Sequence, residues 1–186
     1  NEVTFDTTSG LWIATGLGVY NRSDKGEHLY YKQPDELVSG AVRGVALGTD
    51  GRTWAGCLGG LTMIANGART AGYTPAEGLP NYDVHCIALG PDGRVWAGTA
   101  LGVVRFDEAA KQWSLRHSRR WLLDDDVRDV AFDADGTAWI AVDAHRLDDM
   151  RPYVFRTRDS GATWDLTIQG LPANAYVLAV REDPEV

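Results

Sequence analysis

The sequence predicts an all-β protein built from four-stranded antiparallel sheets in tandem. Three observations carry this reading. Trp12, Trp54, Trp96 and Trp139 stand 42, 42 and 43 residues apart. An apolar pair precedes each by nine and seven residues: Val3 and Phe5, Val45 and Leu47, Ile87 and Leu89, Val130 and Phe132. That period-2 spacing marks a strand with one packed face. Between pair and tryptophan stand Asp50-Gly51, Asp92-Gly93 and Asp135-Gly136, dipeptides suited to hairpins because the glycine takes positive φ. A period of about 40–50 residues made of short strands and turns is that of a β-propeller blade.

Taken in order, each unit reads as an A-B-C-D meander. Strand A holds the apolar pair and strand B the tryptophan, as in Ser9-Gly-Leu-Trp-Ile-Ala-Thr-Gly-Leu-Gly-Val-Tyr20 and Gly93-Arg-Val-Trp-Ala-Gly-Thr99. A glycine turn leads to strand C at residues 19–20, 61–64, 103–106 and 153–156. Strand D follows around 29–32, 69–73, 113–115 and 164–168. No long stretch repeats apolar residues at i, i+3, i+4 and i+7, so helices should be few. The blades span about residues 1–37, 38–79, 80–123 and 124–172, and 173–186 opens a further blade, with residues 175–181 as its A strand. Four blades and a strand are expected to be a piece of a larger propeller, with a four-bladed ring or a half that pairs with another chain as the alternatives. The opening residue is Asn1 rather than Met, which suggests upstream processing.

The composition fits a globular chain of 186 residues, 44% hydrophobic and 24% charged, about the size of one domain. Eighteen basic and 26 acidic residues leave a formal charge of −8, which argues against gripping phosphate backbones and hence against nucleic acid. No apolar run is long enough for membrane insertion. Cys57 and Cys86 are too few for a disulfide scaffold and lack zinc-ligand spacing. No cofactor or metal motif is present.

The stretch Gly78-Leu-Pro-Asn-Tyr-Asp-Val-His-Cys-Ile-Ala-Leu-Gly-Pro-Asp-Gly-Arg-Val-Trp-Ala-Gly-Thr99, continuing through Leu101-Gly-Val-Val-Arg-Phe-Asp107, resembles the two-component-regulator propeller repeat, and the likeness extends over residues 1–142. It implies the periplasmic ligand-sensing part of a membrane histidine kinase, or a secreted or carbohydrate-related protein. Near residue 136 the style changes. Thr157, Asp159, Gly161, Thr163 and Trp164 are similar to the Asp-box (BNR repeat) of sialidase- and sortilin-type propellers. Such a box is structural: its Asp accepts amide hydrogen bonds in the C–D hairpin and its Trp packs beneath.

Three groups are candidates for ligand binding. Arg43, His85 and Arg128 each stand eleven residues before a tryptophan, at equivalent starts of strand A, and either bind an anion or pair with acids such as Asp83 or Asp129. Arg119, Arg120 and Trp121, in the D–A loop of blade 3, combine planar donors with an aromatic face suited to sugars or acidic groups, or else form a network with nearby aspartates. Asp143, His145 and Arg146 lie on a lengthened B–C loop of blade 4, and long loops on rigid scaffolds often carry function. Asp143, His145, Asp148 and Asp149 are too close along one loop to make a metal shell. The acidic runs at 124–126, 148–149 and 182–183 read as solvated faces, with no catalytic pair among them.

The resulting expectation is a non-catalytic, extracytoplasmic (periplasmic or extracellular) sensor or binding module for a carbohydrate or other anionic small ligand, in contact with further protein. The alternative is part of a carbohydrate-active glycoside hydrolase or lyase whose catalytic residues lie outside this chain.

Overall fold

The computed structural model describes residues 2–6, 10–23, 25–33 and 35–182, the side chains of Phe5 and Asp6 excepted. Ser9 and Asp183 therefore lie outside the described residues, as does the packing of Phe5. The strands are β1 (Val3–Asp6), β2 (Gly10–Thr15), β3 (Gly18–Arg22), β4 (His28–Tyr31), β5 (Val42–Leu47), β6 (Thr53–Cys57), β7 (Gly60–Ala65), β8 (Ala68–Tyr73), β9 (Val84–Leu89), β10 (Val95–Thr99), β11 (Gly102–Asp107), β12 (Gln112–Arg116), β13 (Val127–Phe132), β14 (Ala138–Val142), β15 (Tyr153–Thr157) and β16 (Asp165–Leu166). They form four four-stranded antiparallel sheets, each in sequence order. The chain divides into compact units at residues 1–89 and 90–186, a division that follows β9.

All four repeat tryptophans lie on the second strand of their sheets. Trp12, Trp54 and Trp139 pair with Thr4, Ala46 and Ala131, each eight residues earlier. The A–B turn follows from the Asp-Gly pair. Gly48 donates to the Arg52 carbonyl at 2.8 Å while Gly51 adopts φ 79°. The Asp50 carboxylate accepts the Arg52 amide at 3.0 Å. Asp92 accepts the Arg94 amide in the same way at 3.0 Å.

In the first three sheets the start of strand C requires glycine, whereas β15 begins at Tyr153 after a loop that contains none. A Cβ at Gly18, Gly60 or Gly102 would lie 2.2, 2.1 or 2.3 Å from the carbonyl oxygen of Tyr31, Tyr73 or Arg116, and φ at all three is positive. In the first unit, β5 packs across β1 and β2, and β9 across β5 and β6. Gly56 permits that approach, since a Cβ there would meet Val84 Cγ1 at 3.0 Å. The core of this unit gathers Trp12, Val19, Tyr31, Leu37, Val42, Val45 and Ile64. Trp12 stacks on Tyr31 and Trp54 on Tyr73. Cys57 and Cys86 are both buried and free, and burial pushes the Cys57 thiol up to about 11.

In the second unit β13 packs across β10. Trp96 meets Phe132 and Trp164 edge-on, with ring centroids 5.6 and 6.2 Å apart. The β15–β16 turn is closed by side chains. Asp159 accepts the Thr163 amide at 2.8 Å, the Thr163 hydroxyl at 2.6 Å and the Thr157 hydroxyl at 2.8 Å. The Thr157 oxygen accepts the Gly161 amide at 2.9 Å. Gly161 takes φ 86°. From the neighbouring strands, Arg105 donates to the Ser160 carbonyl at 2.7 Å and Arg116 to the Gly161 carbonyl at 2.8 Å.

This turn yields a pH prediction. Bonds from the Thr163 hydroxyl and amide, and from Thr157, hold the Asp159 carboxyl down at about 2. An unfolded aspartate titrates near ~3.9. Its contribution to stability is therefore complete above about pH 4 and is lost as the pH falls toward about 2. Asp159→Ala is expected to lower the melting temperature by roughly 2–6 °C at neutral pH, with ligand binding unchanged. The difference from wild type should close as acid melts are run at lower pH. A constant difference from pH 6 to pH 2 would contradict the assignment.

Two expectations for the strands are corrected. Strand D of the fourth sheet is confined to Asp165–Leu166 rather than reaching residue 168. Residues 175–181 form no strand. Their alternation suits an A strand, but among the described residues no B strand is present to pair with them. They lie instead over the fourth sheet: the Val180 amide donates to Asp129 Oδ2 at 2.8 Å, Arg181 pairs with the same carboxylate, and the Ala134 amide donates to Glu182 at 2.9 Å. Between segment and sheet runs a cleft of about 500 Å³ lined by Phe132, Trp139, Val154, Leu171, Val177 and Val180.

Candidate functional site

In the first unit, Arg43 and His85 are brought together by Asp83. Arg43 Nη1 donates to Asp83 Oδ1 at 2.7 Å and to the Val84 carbonyl at 3.2 Å. His85 Nε2 lies 3.7 Å from the same carboxylate oxygen. The Asn81 side chain fixes the acid by accepting the Asp83 amide at 2.9 Å. The neighbouring B–C turn reaches the same place, because Leu58 forms an isolated β-bridge with Asp83.

The second unit carries a denser constellation. Asp126 ends the D–A loop and Asp143 opens the B–C loop, and the Asp143 amide donates to the Asp126 carbonyl at 2.9 Å. Both acids are 2% exposed. Arg128 Nη2 stands between the carboxylates, 2.9 Å from Asp126 and 3.3 Å from Asp143. His145 Nδ1 is 2.7 Å from Asp143 Oδ2, and the His145 amide donates to Asp143 Oδ1 at 3.0 Å. Arg146 Nε lies 3.7 Å from Asp126 Oδ2. The His145 and Arg146 side chains face solvent. Buried carboxylates thus hold an exposed imidazole and an exposed guanidinium in place, an arrangement that offers donors to an incoming anion without a large ordering cost.

The D–A loop of the third sheet lies alongside. Residues 118–122 form a turn in which the Ser118 carbonyl accepts the Trp121 and Leu122 amides, both at 2.9 Å. Leu122 is buried and anchors it. The guanidinium carbons of Arg116 and Arg120 lie 4.9 and 5.0 Å from the Trp121 ring centroid. Arg119 is exposed. This loop joins the acid cluster through Asp125, whose side chain accepts the Ser118 amide and whose carbonyl accepts the Gly102 amide at 2.6 Å. Among the described residues no group of three or more His, Cys, Asp or Glu is placed to hold a metal ion.

Sequence reasoning misplaced two acids. The acidic run at 124–126 reads as a solvated face, yet Asp126 is buried and pairs with Arg128. Asp129 was offered as a partner for Arg128, but it faces Val180 and Arg181. The missing signal was periodic. Asp83 and Asp126 each stand two residues before the basic side chain of strand A, His85 or Arg128, and two residues before each acid Asn81 and Asp124 accept its amide.

Residues 78–100 match the family described as two component regulator propeller. No curated protein matches the chain. Among solved structures, the chain is similar to the extracellular domain of a hybrid two-component system from B. thetaiotaomicron, with TM-score 0.78 and 19% identity over 99% of this chain and 25% of that one. It is also similar to virginiamycin B lyase from Staphylococcus aureus, solved with quinupristin, with TM-score 0.72 and 18% identity over 95% of this chain and 57% of the lyase. A one-component-system extracellular domain from B. thetaiotaomicron gives TM-score 0.66 and 22% identity over 95% of this chain and 22% of that one. The fold is that of β-propeller blades. The chain spans a quarter of the first extracellular domain and little more than half of the lyase. Among the described residues no helix is long and apolar enough to cross a membrane.

Proposed function

We propose that this chain is a non-catalytic ligand-binding module of an extracytoplasmic propeller, taking an anionic small ligand such as an acidic sugar on the loops that carry Asp126, Arg128, Asp143, His145 and Arg146. One observation carries the reading: two carboxylates that are 2% exposed stand beside the Arg146 guanidinium and the His145 imidazole, whose own side chains face solvent. Arg119, Arg120 and Trp121 extend the same surface with planar donors and a ring. The match to the two component regulator propeller at residues 78–100 and the likeness to two extracellular domains of two-component and one-component systems support a sensing role and a periplasmic or extracellular location. We read the β15–β16 turn as an Asp-box of the sialidase type with a purely structural task. We also read the chain as blades of a larger propeller, with further protein as its neighbour.

The test is calorimetric titration with glucuronate and with a short oligogalacturonide, followed in parallel by tryptophan fluorescence. Binding with a change in emission is expected, and Arg146→Gln should weaken it about tenfold, the scale of one charge-assisted hydrogen bond. No heat with either acidic sugar, or binding indifferent to Arg146→Gln, would sink the reading. Release of cleaved product during the titration would favour the carbohydrate-active alternative.

A further inference from the structure

The turns around the charged cluster also present leucines. Leu101 at the β10–β11 turn is 53% exposed and Leu147 beside Arg146 is 58% exposed. Met150 on the same loop is exposed as well. These tips are held, not frayed. Thr99 Oγ1 donates to the Gly102 carbonyl at 2.8 Å and accepts the Leu101 amide at 3.1 Å. The Leu147 amide donates to the Ala144 carbonyl at 2.8 Å. The two tips flank the charge cluster. Gly102, next to Leu101, donates to the Asp125 carbonyl, and Arg146, next to Leu147, faces Asp126.

The first unit repeats the pairing independently. Leu58, a partly exposed B–C tip, is bridged to Asp83, the acid that holds Arg43 and His85. Tyr82, also exposed, adjoins it. A wholly polar sugar would leave these leucines in water. Large apolar side chains set outward on turns that adjoin a charged cluster suit a ligand with an apolar part next to its charge.

Resting on the anion-binding reading above, we infer that the ligand of the second unit is an anionic amphiphile: a carboxylate joined to an aliphatic chain. Its carboxylate meets Arg146 and His145, and its chain lies on Leu101, Leu147 and Met150. Each methylene buried from water adds up to roughly fourfold in affinity.

The experiment is titration of the full chain with acetate, octanoate, glucuronate and neutral octyl glucoside. Octanoate is expected to bind at least about tenfold more tightly than acetate or glucuronate. The exposed double variant Leu101→Ser/Leu147→Ser should bring octanoate to the level of acetate while leaving glucuronate binding as in wild type. Arg146→Gln should weaken all three carboxylates. If octanoate binds no better than glucuronate, or if the double variant leaves octanoate unchanged, the amphiphile assignment falls and the anion site stands. If octyl glucoside matches octanoate and ignores Arg146→Gln, the surface is merely apolar and the assignment falls. If no carboxylate binds at all, the anion-binding reading falls and takes this one with it.

Discussion

Replacing Trp96 by alanine is expected to destabilise the chain by about 3–5 kcal/mol, the cost of emptying a close-packed aromatic site. Trp96 is buried, meets Phe132 and Trp164 edge-on, and carries the Arg105 guanidinium 5.7 Å from its ring centroid. Three neighbours lose their packing partner together, and rigid rings cannot collapse into the gap. Its repeat equivalent Trp139 should cost far less, about 1–2 kcal/mol. That ring is half-buried, holds Asp133 through Nε1 at 2.8 Å, and lines the cleft beneath residues 175–182. Urea denaturation of the two variants decides the matter. Equal losses would show that the cleft side of the fourth sheet is packed as tightly as its interior, against the description given above.

Asp143→Ala is expected to cost about 2–4 kcal/mol, near the lower part of the range for breaking a buried ion pair. The discount arises because Arg128 is 28% exposed and His145 is 44% exposed, so water screens part of the charge left behind. The variant should also lose anion binding, because His145 loses both its amide acceptor and its imidazole partner. Asp126→Leu/Arg128→Met, which removes a charge of each sign, should be less harmful to folding than Asp126→Ala alone. The measurement is a set of thermal melts with titrations on whichever variants fold. A fully stable Asp143→Ala protein would show that the carboxylate is not the anchor of the cluster.

The legible part of the fold was the part set by local chemistry. The tryptophan spacing, the apolar pairs and the Asp-Gly turns located strands A and B because each is dictated within a dozen residues. Residues 175–181 carried the same alternation and were misread, since a strand is completed by its partner and pattern alone cannot supply one. Strand D was read loosely because its outward-facing residues, such as His28, Leu29 and Tyr30, are exposed and carry little periodic signal. In the candidate site, Asp143, His145 and Arg146 could be read because they share one long loop. Burial of Asp126 could not, since it depends on a hydrogen bond from Asp143, seventeen residues away, and on the neutralising reach of Arg128.

The arginine donors that grasp the β15–β16 turn also determine where the molecule yields under load. Traction on residue 182 first meets the bond from the Ala134 amide to Glu182 and the salt link at Asp129, then β16, two residues long and exposed. Little resists peeling there. The next obstacle is the loop at Ser160 and Gly161, clipped by Arg105 and Arg116 from β11 and β12. These planar, charged donors must break together before β15 can be drawn out, and charge-assisted bonds of this kind are about twice as strong as neutral ones. Extension should therefore proceed by a soft release of residues 165–182 and then a firm stop. Strain arriving from that side passes directly into β13 through Asp129, next to Arg128, whereas the arginine clips hold it off the loop bearing His145 and Arg146.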